Sequence, residues 1–267
     1  MMNSESAIGI FDSGIGGLTV LKEVSRILPH ENIIYLGDTA RVPYGIRSPE
    51  TVTRYSFECT GFLLKQNIKL LVVACNTVSA ISLQRIRESV SIPVIGVIQP
   101  GARAAVSSTK NKKIGIIGTE TTIKSNAYVN AIKSLDRSIE VFGLPCPLFV
   151  PLVEEGWTDG AIAQLVAEKY LKGIADKGAD TLVLGCTHYP LLRAVIQDVM
   201  RGVHLIDSAV ETAKVVRDML PSADHTGSAG MTRTRRFFVT DSPGKFIAVG
   251  GSFLQEEIKN IEKIELP

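Results

Sequence analysis

Two of the four cysteines, Cys75 and Cys186, sit in similar surroundings: each ends an apolar run and is followed by small polar residues, Asn76-Thr77 in one case and Thr187-His188 in the other. A thiol can act as either base or acid near neutral pH. Its ordinary pKa of about 8.5 leaves a few per cent thiolate, and the remaining thiol can return a proton. Two thiols aimed at one carbon from opposite sides would suit a two-base proton transfer such as racemisation, in which a proton leaves one face and another arrives on the opposite face. An α-C–H is a far weaker acid than a thiol, so much of that barrier must be met by electrostatic stabilisation and by excluding water.

Spacing excludes other uses of these cysteines. Cys59, Cys75, Cys146 and Cys186 are separated by 16, 71 and 40 positions, with none of the close C-x-x-C pairs of a zinc or dithiol redox site. No metal is expected. Cys59 and Cys146 read as buried small hydrophobes.

The elements that must position the pair follow from periodicity. Short β-branched runs alternate with amphipathic ones, which is the α/β pattern. Strands are expected at 8–11, 33–36, 70–74, 94–97, 114–117, 139–142, 181–184 and 203–206, all near-continuous apolar runs of the kind found in parallel sheets covered on both faces. Leu18, Leu21, Val24 and Leu28 mark one face of a helix, Ser48-Pro49-Glu50 reads as a helix start, and residues 161–177 form a further helix. Gln99-Pro100-Gly101 is a candidate crossing point between halves.

The chain also repeats itself weakly. Ile8-Gly9-Ile10-Phe11 matches Ile114-Gly115-Ile116-Ile117 at an offset of 106, and Leu71-Val72-Val73-Ala74-Cys75 matches Leu182-Val183-Leu184-Gly185-Cys186 at an offset of 111. Two matches in the same order at nearly one offset predict two similar α/β lobes. Ligands of parallel α/β sheets bind beyond the carboxyl ends of the strands, where both cysteines lie. Facing lobes would therefore aim the thiols into one cleft, and both cysteines are expected to begin helices, whose N-termini lower a thiol pKa.

Composition narrows the partner. The chain has 267 residues, is 45% apolar, and carries 29 basic against 27 acidic residues. A net charge of +2 without a long basic run leaves no electrostatic footprint for nucleic acid or an anionic membrane, so a small-molecule partner is expected. The polar start and the lack of any run near the roughly 20 apolar residues of a membrane span point to a cytoplasmic chain with reduced cysteines. Asp12-Ser13-Gly14-Ile15-Gly16-Gly17 falls short of a dinucleotide fingerprint because Thr19 takes the place of the third glycine. Its backbone amides still suit a carboxylate.

Taken together, Asp12-Ser13-Gly14 with Gly16-Gly17-Leu18-Thr19-Val20, Pro43-Tyr44-Gly45, Ala74-Cys75-Asn76-Thr77 and Gly185-Cys186-Thr187-His188-Tyr189-Pro190 resemble bacterial glutamate racemases of the aspartate/glutamate racemase superfamily. The resemblance runs from about Ile8 into the Phe237 to Phe246 stretch. It implies an α/β fold of two pseudo-symmetric lobes with mainly parallel sheets and the active site between them. The first lobe would comprise residues 1–98 and 208–267, and the second residues 99–207. It further implies interconversion of L- and D-glutamate without pyridoxal phosphate or other cofactor, supply of D-glutamate for peptidoglycan, and a homodimer. Cys75 and Cys186 would be the acid/base pair, with Asp12 supporting the first and His188 the second. Substrate binding would fall to Asp12, Ser13, Tyr44, Gly45, Asn76, Thr77, Thr187 and His188, with Glu154 and the Thr119 to Thr122 segment as further contributors. Val78 stands where the family pattern has alanine. No arginine is evident for the side-chain carboxylate, so the residues alone do not separate glutamate from aspartate. An amino-acid-binding protein on the same scaffold and a thiol redox protein are the competing classes. Retention of both cysteines with polar neighbours argues against the first, and their wide separation against the second.

Overall fold

The computed structural model describes residues 6–220 and 234–267. All eight expected strands are present. The first half supplies β1 (Ala7–Asp12), β2 (Ile33–Gly37), β3 (Ile68–Val73) and β4 (Val94–Gly96), and the second supplies β5 (Lys113–Gly118), β6 (Glu140–Pro145), β7 (Thr181–Gly185) and β8 (His204–Asp207). They form two sheets, paired in parallel throughout, with the orders β2-β1-β3-β4 and β6-β5-β7-β8. The order is the same in both, so the weak internal repeat marks a duplicated topology. β3 and β7 occupy equivalent positions beside the central strands β1 and β5. Cys75 and Cys186 therefore leave equivalent strand ends.

The first sheet is longer than the repeat predicts. β9 (Arg235–Val239) adds in parallel to β2, and β10 (Ile261–Lys263) adds to β9. Of these only Phe237, Phe238 and Val239 have the apolar content of a buried strand, whereas the short Ile261-Glu262-Lys263 carries little strand signal.

Helices cover both sheets. In the first half these are α1 (Leu18–Ile27), α2 (Pro49–Leu64), α3 (Asn76–Ile81), α4 (Leu83–Ser89) and α5 (Ile98–Ser108). The second half supplies α6 (Glu120–Lys124), α7 (Ala127–Leu135), α8 (Phe149–Glu154), α9 (Gly160–Ala175) and α10 (Arg193–Val199), followed by α11 (Ser208–Met219) and, near the C-terminus, α12 (Pro243–Leu254). Leu18, Leu21 and Val24 form the buried stripe of α1, and the Ser48 hydroxyl accepts from Thr51 N at 3.3 Å as the N-cap of α2. Among the described residues no helix is long and apolar enough to cross a membrane.

The chain crosses between the two sheets along α5. Gln99-Pro100-Gly101 lies inside the first turn of α5, where proline's missing N–H leaves no helical bond unmade. A single apolar cluster then spans the seam, joining Leu18, Leu21 and Val24 of α1 to Ala209, Ala213 and Val216 of α11 and extending to Phe149 and Tyr189.

At the other end of the first sheet, Lys69 of β3 is buried against Glu31, with its Nζ 2.9 and 3.1 Å from the two carboxylate oxygens. Removing one partner leaves a charge without its counter-ion in a dry site, whereas removing both does not. Lys69→Met should lower the unfolding free energy in urea by about 3–5 kcal/mol. The double variant Lys69→Met/Glu31→Leu should recover most of that loss, and an equally destabilised double variant would show that the pair is unimportant.

Candidate active site

β1 ends at Asp12, and the loop to α1 wraps back over it. The Asp12 carboxylate accepts from Gly14 N at 3.0 Å, while the Tyr35 hydroxyl from β2 donates to Gly14 O at 2.9 Å, so the loop is held from both sides. Ser13 then meets Cys75, with Oγ and Sγ 3.6 Å apart. Cys75 is the N-cap residue of α3, and Ser79 N donates back to its carbonyl at 2.9 Å.

Cys186 follows β7 directly, but it does not begin an α-helix. The next turn is 3₁₀, over Tyr189–Leu192, and Tyr189 N bonds Cys186 O at 3.2 Å. Pro190 has no N–H with which to continue the α-helical ladder. The Cys186 thiol instead receives the backbone N–H of His188 and lies 3.9 Å from His188 Nδ1. His188 Nε2 is 3.3 Å from Glu154 Oε1 at the end of α8, and its ring meets Phe253 of α12 edge-on at 5.4 Å. Lys245, also from α12, is 3.6 Å from the other Glu154 oxygen. The C-terminal helix α12 therefore braces His188.

The halves meet around these groups. Thr187 Oγ1 reaches Asp12 Oδ1 at 3.5 Å, and Thr19 Oγ1 donates to Thr187 O at 3.1 Å. Gly16 makes this approach possible, because a Cβ there would fall 2.5 Å from His188 Nδ1 and closer still to Thr187 Oγ1. On the other flank Thr77 Oγ1 lies 3.0 and 3.3 Å from the hydroxyls of Thr119 and Thr122. Thr121 Oγ1 donates to Gly45 O at 2.8 Å, and a Cβ on Gly45 would sit 2.6 Å from Thr119 Cβ. Asn76 accepts from the hydroxyl of Tyr128, on α7, at 2.7 Å.

The Tyr44 hydroxyl is instead turned to the buried Asp38. Asp38 also accepts from Arg41 Nε at 2.6 Å and from Thr240 Oγ1 at 2.8 Å, fixing the loop that carries Tyr44 and Gly45. Gly37-Asp38-Thr39 is visible in the sequence only as turn chemistry. Thr240, 202 positions away from Asp38, and Tyr128, 52 positions away from Asn76, carry no sequence signal of their contacts. Among the described residues no group of three His, Cys, Asp or Glu side chains is placed to hold a metal ion.

Burial dominates the electrostatics. Cys75 and Cys186 are only 4% and 6% exposed, and Asp12 is fully buried. Desolvation raises the Asp12 carboxyl above its usual range, although the nearby His188 opposes it. Desolvation and then the Asp12 charge push the Cys75 thiol up to about 11, with the Val78 amide and Ser13 pulling the other way. Burial drives Cys186 up further, and a Cys75 thiolate adds to that. The two thiols therefore sense each other and the same carboxylate. The Glu154 carboxyl is held below its usual value, first by its bond to His188.

This arrangement, two parallel α/β halves of the same strand order with one thiol at each equivalent strand end, defines a two-lobed α/β class of protein. The chain belongs to the Asp/Glu/hydantoin racemase family, whose model matches residues 8–216. It is 53% identical over 261 residues to the glutamate racemase of Geobacter metallireducens, with 97% of each chain covered. To that of Enterococcus faecalis it is 50% identical over 268 residues, covering 99% of this chain and 98% of the relative. The crystal structure of glutamate racemase from Francisella tularensis in complex with D-glutamate superposes with a TM-score of 0.92 at 40% identity over 98% of each chain.

The thiol environments predict an order of reactivity. Raising the pH populates thiolates in order of increasing pKa, so Cys75 should ionise before Cys186, Cys59 and Cys146, all of which burial pushes higher. With limiting iodoacetamide at mildly alkaline pH, peptide mapping should find Cys75 carboxamidomethylated first. Earlier labelling of Cys59 or Cys146 would contradict the assigned environments.

Proposed function

We propose that the chain interconverts L- and D-glutamate without a cofactor, with Cys75 and Cys186 as the two acid/base groups, and so supplies D-glutamate for peptidoglycan. The observation that carries this reading is the placement of the two thiols at equivalent strand ends, each with its own polar partners, Asp12 and Ser13 at one and His188 with Glu154 at the other. Choice of glutamate is supported by the relatives named above and by the D-glutamate in the Francisella tularensis complex.

In one direction a Cys75 thiolate takes the α-proton and becomes a thiol, leaving the electron pair on the α-carbon. The Cys186 thiol gives a proton to the opposite face and becomes a thiolate. The reverse direction exchanges the roles. Each turnover leaves the charge on the other sulfur, so proton exchange through solvent or neighbouring groups must restore the starting form. His188, beside Cys186 and braced by Glu154, is the group placed to relay that proton.

The free protein keeps both thiols protonated. At pH 8 a thiol of pKa about 11 is ionised in about one molecule in a thousand, a cost of about 4 kcal/mol. A substrate ammonium lying against Asp12 reduces this cost, because it offsets the carboxylate that raises Cys75 and places a cation near the thiol. The substrate then helps to prepare its own base. Ser13, Thr77, Thr187 and the backbone at Gly45 supply hydroxyl and amide donors for the carboxylates, together with Asn76. Tyr44 contributes by holding its loop through Asp38, and Thr119 and Thr122 close the other side.

Residues 1–98 with 208–267 form the first lobe in this reading and residues 99–207 the second, with 1–5 and 221–233 lying outside the described residues. Membership of the two sheets supports that division. Two catalytic thiols must stay free, which fits the reducing cytoplasm, and all four cysteines are unpaired here. A homodimer is part of the same proposal and is checked by light scattering of the purified chain.

Incubation with L-glutamate in D₂O, without added cofactor, should produce D-glutamate carrying deuterium at the α-carbon. Absence of both would refute the reaction. Cys75→Ser and Cys186→Ser should each lower kcat by about 100-fold or more, the usual worth of one acid/base group, while leaving the fold intact by circular dichroism. Near-normal turnover by either single variant would eliminate the two-base mechanism.

A further inference from the structure

Asn76 follows Cys75 directly and opens α3. Its side chain is buried, and its two ends are treated differently. The Oδ1 atom accepts the Tyr128 hydroxyl at 2.7 Å, whereas Nδ2 is buried and meets no acceptor among the described residues. A buried amide donor without a partner is costly unless a ligand completes it. A carboxamide could be turned the other way, with its oxygen free and its NH₂ on the tyrosine. The phenol decides between the two. Its O–H must donate to something when buried; Ser208, the other side chain it bonds, acts as a donor, toward the phenol oxygen and Leu184 O, so Asn76 Oδ1 is the acceptor that takes the phenol proton. Burial raises the Tyr128 pKa well above the usual value, so that proton stays in place.

Tyr128 is also well placed to connect the halves. It lies on α7, in the second half, and its ring is so close to the end of β7 that a Cβ at Gly185, the residue before Cys186, would lie 3.2 Å from it. One side chain thus packs behind one cysteine and hydrogen-bonds the neighbour of the other.

We propose that Tyr128 is a positioning residue: its hydroxyl holds the Asn76 carboxamide with the NH₂ group as the free donor, which then binds a carboxylate of the substrate. The orientation selects an anion, because the reversed amide would present an acceptor and favour the ammonium instead. This rests on the glutamate racemase reading above, which fixes what the carboxylate belongs to. Closing the halves sets the amide, so the binding donor beside Cys75 is complete only when the second lobe is in place.

The test compares Tyr128→Phe, Asn76→Ala and the double variant in the full-length chain, measuring kcat and KM for both enantiomers of glutamate together with the melting temperature. Phenylalanine keeps the ring packing and removes only the hydroxyl. KM should rise about tenfold in Tyr128→Phe, equivalent to about 1.4 kcal/mol, with kcat changed much less. In the Asn76→Ala background the tyrosine change should add nothing, because its only route to substrate is gone. If Asn76→Ala weakens binding while Tyr128→Phe leaves KM unchanged, or if the two effects simply add, the inference about Tyr128 fails and the racemase reading survives. If neither variant alters KM, the carboxylate role of Asn76 fails as well. No turnover of glutamate by the unmodified chain would instead overturn the reading on which the inference rests.

Discussion

A fully buried carboxylate, Asp12, is the group around which both halves are arranged. Leaving it charged in a dry seam would be costly, and the protein answers with the Gly14 amide on one side and the Thr187 hydroxyl from the other half. Close approach of the two loops requires Gly16, where a side chain would strike Thr187 and His188. The same carboxylate raises the pKa of both cysteines and of Tyr35, which anchors its loop. Moving Asp12 would therefore disturb the loop, the seam and the thiols together. An anion at the centre of a shielded site also offers a counter-charge to an ammonium group placed against it. Binding there exchanges an unfavourable field for a favourable one.

Much of this was legible in the sequence because its causes are local. Parallel strands buried on both faces must be apolar runs, and those at 8–11, 70–74 and 181–184 could be read without knowing their neighbours. Ser48-Pro49-Glu50 showed the start of a helix for equally local reasons. The cysteines became legible through comparison of the chain with itself, which put them at matching strand ends. The identical strand order of the two sheets is the physical content of that weak repeat.

What escaped depends on groups distant in sequence or on one residue altering a turn. Asp38 holds Tyr44 with help from Thr240, and nothing in the local pattern of either segment announces the other. Tyr128 reads as an ordinary buried aromatic until its hydroxyl is seen on Asn76. Pro190 changed an expected helical start after Cys186 into a 3₁₀ turn, and Pro100, placed where a helix tolerates it, lies within the helix that joins the two sheets. β10 is short and edge-placed, with too few apolar residues to stand out.

The duplicated halves have diverged where their chemistry differs. Cys75 opens a true helix beside a carboxylate and a hydroxyl, whereas Cys186 enters a 3₁₀ turn beside an imidazole. The Asp12 charge raises the Cys75 thiol, while Cys186 receives the His188 backbone N–H and lies 3.9 Å from its ring. The two thiols are therefore not interchangeable in the free protein, although the proposed reaction would have them exchange roles. Racemisation relates mirror-image substrates, but a chain of L-amino acids has no mirror-image site to offer. Two unlike half-sites can still serve both directions when each supplies one competent proton carrier. In the proposed reaction their energies need to match only when substrate is bound, and an ammonium at Asp12 would then shift the balance toward a Cys75 thiolate. The shared strand order places the two thiols at equivalent strand ends, and the differing neighbours set their separate proton affinities.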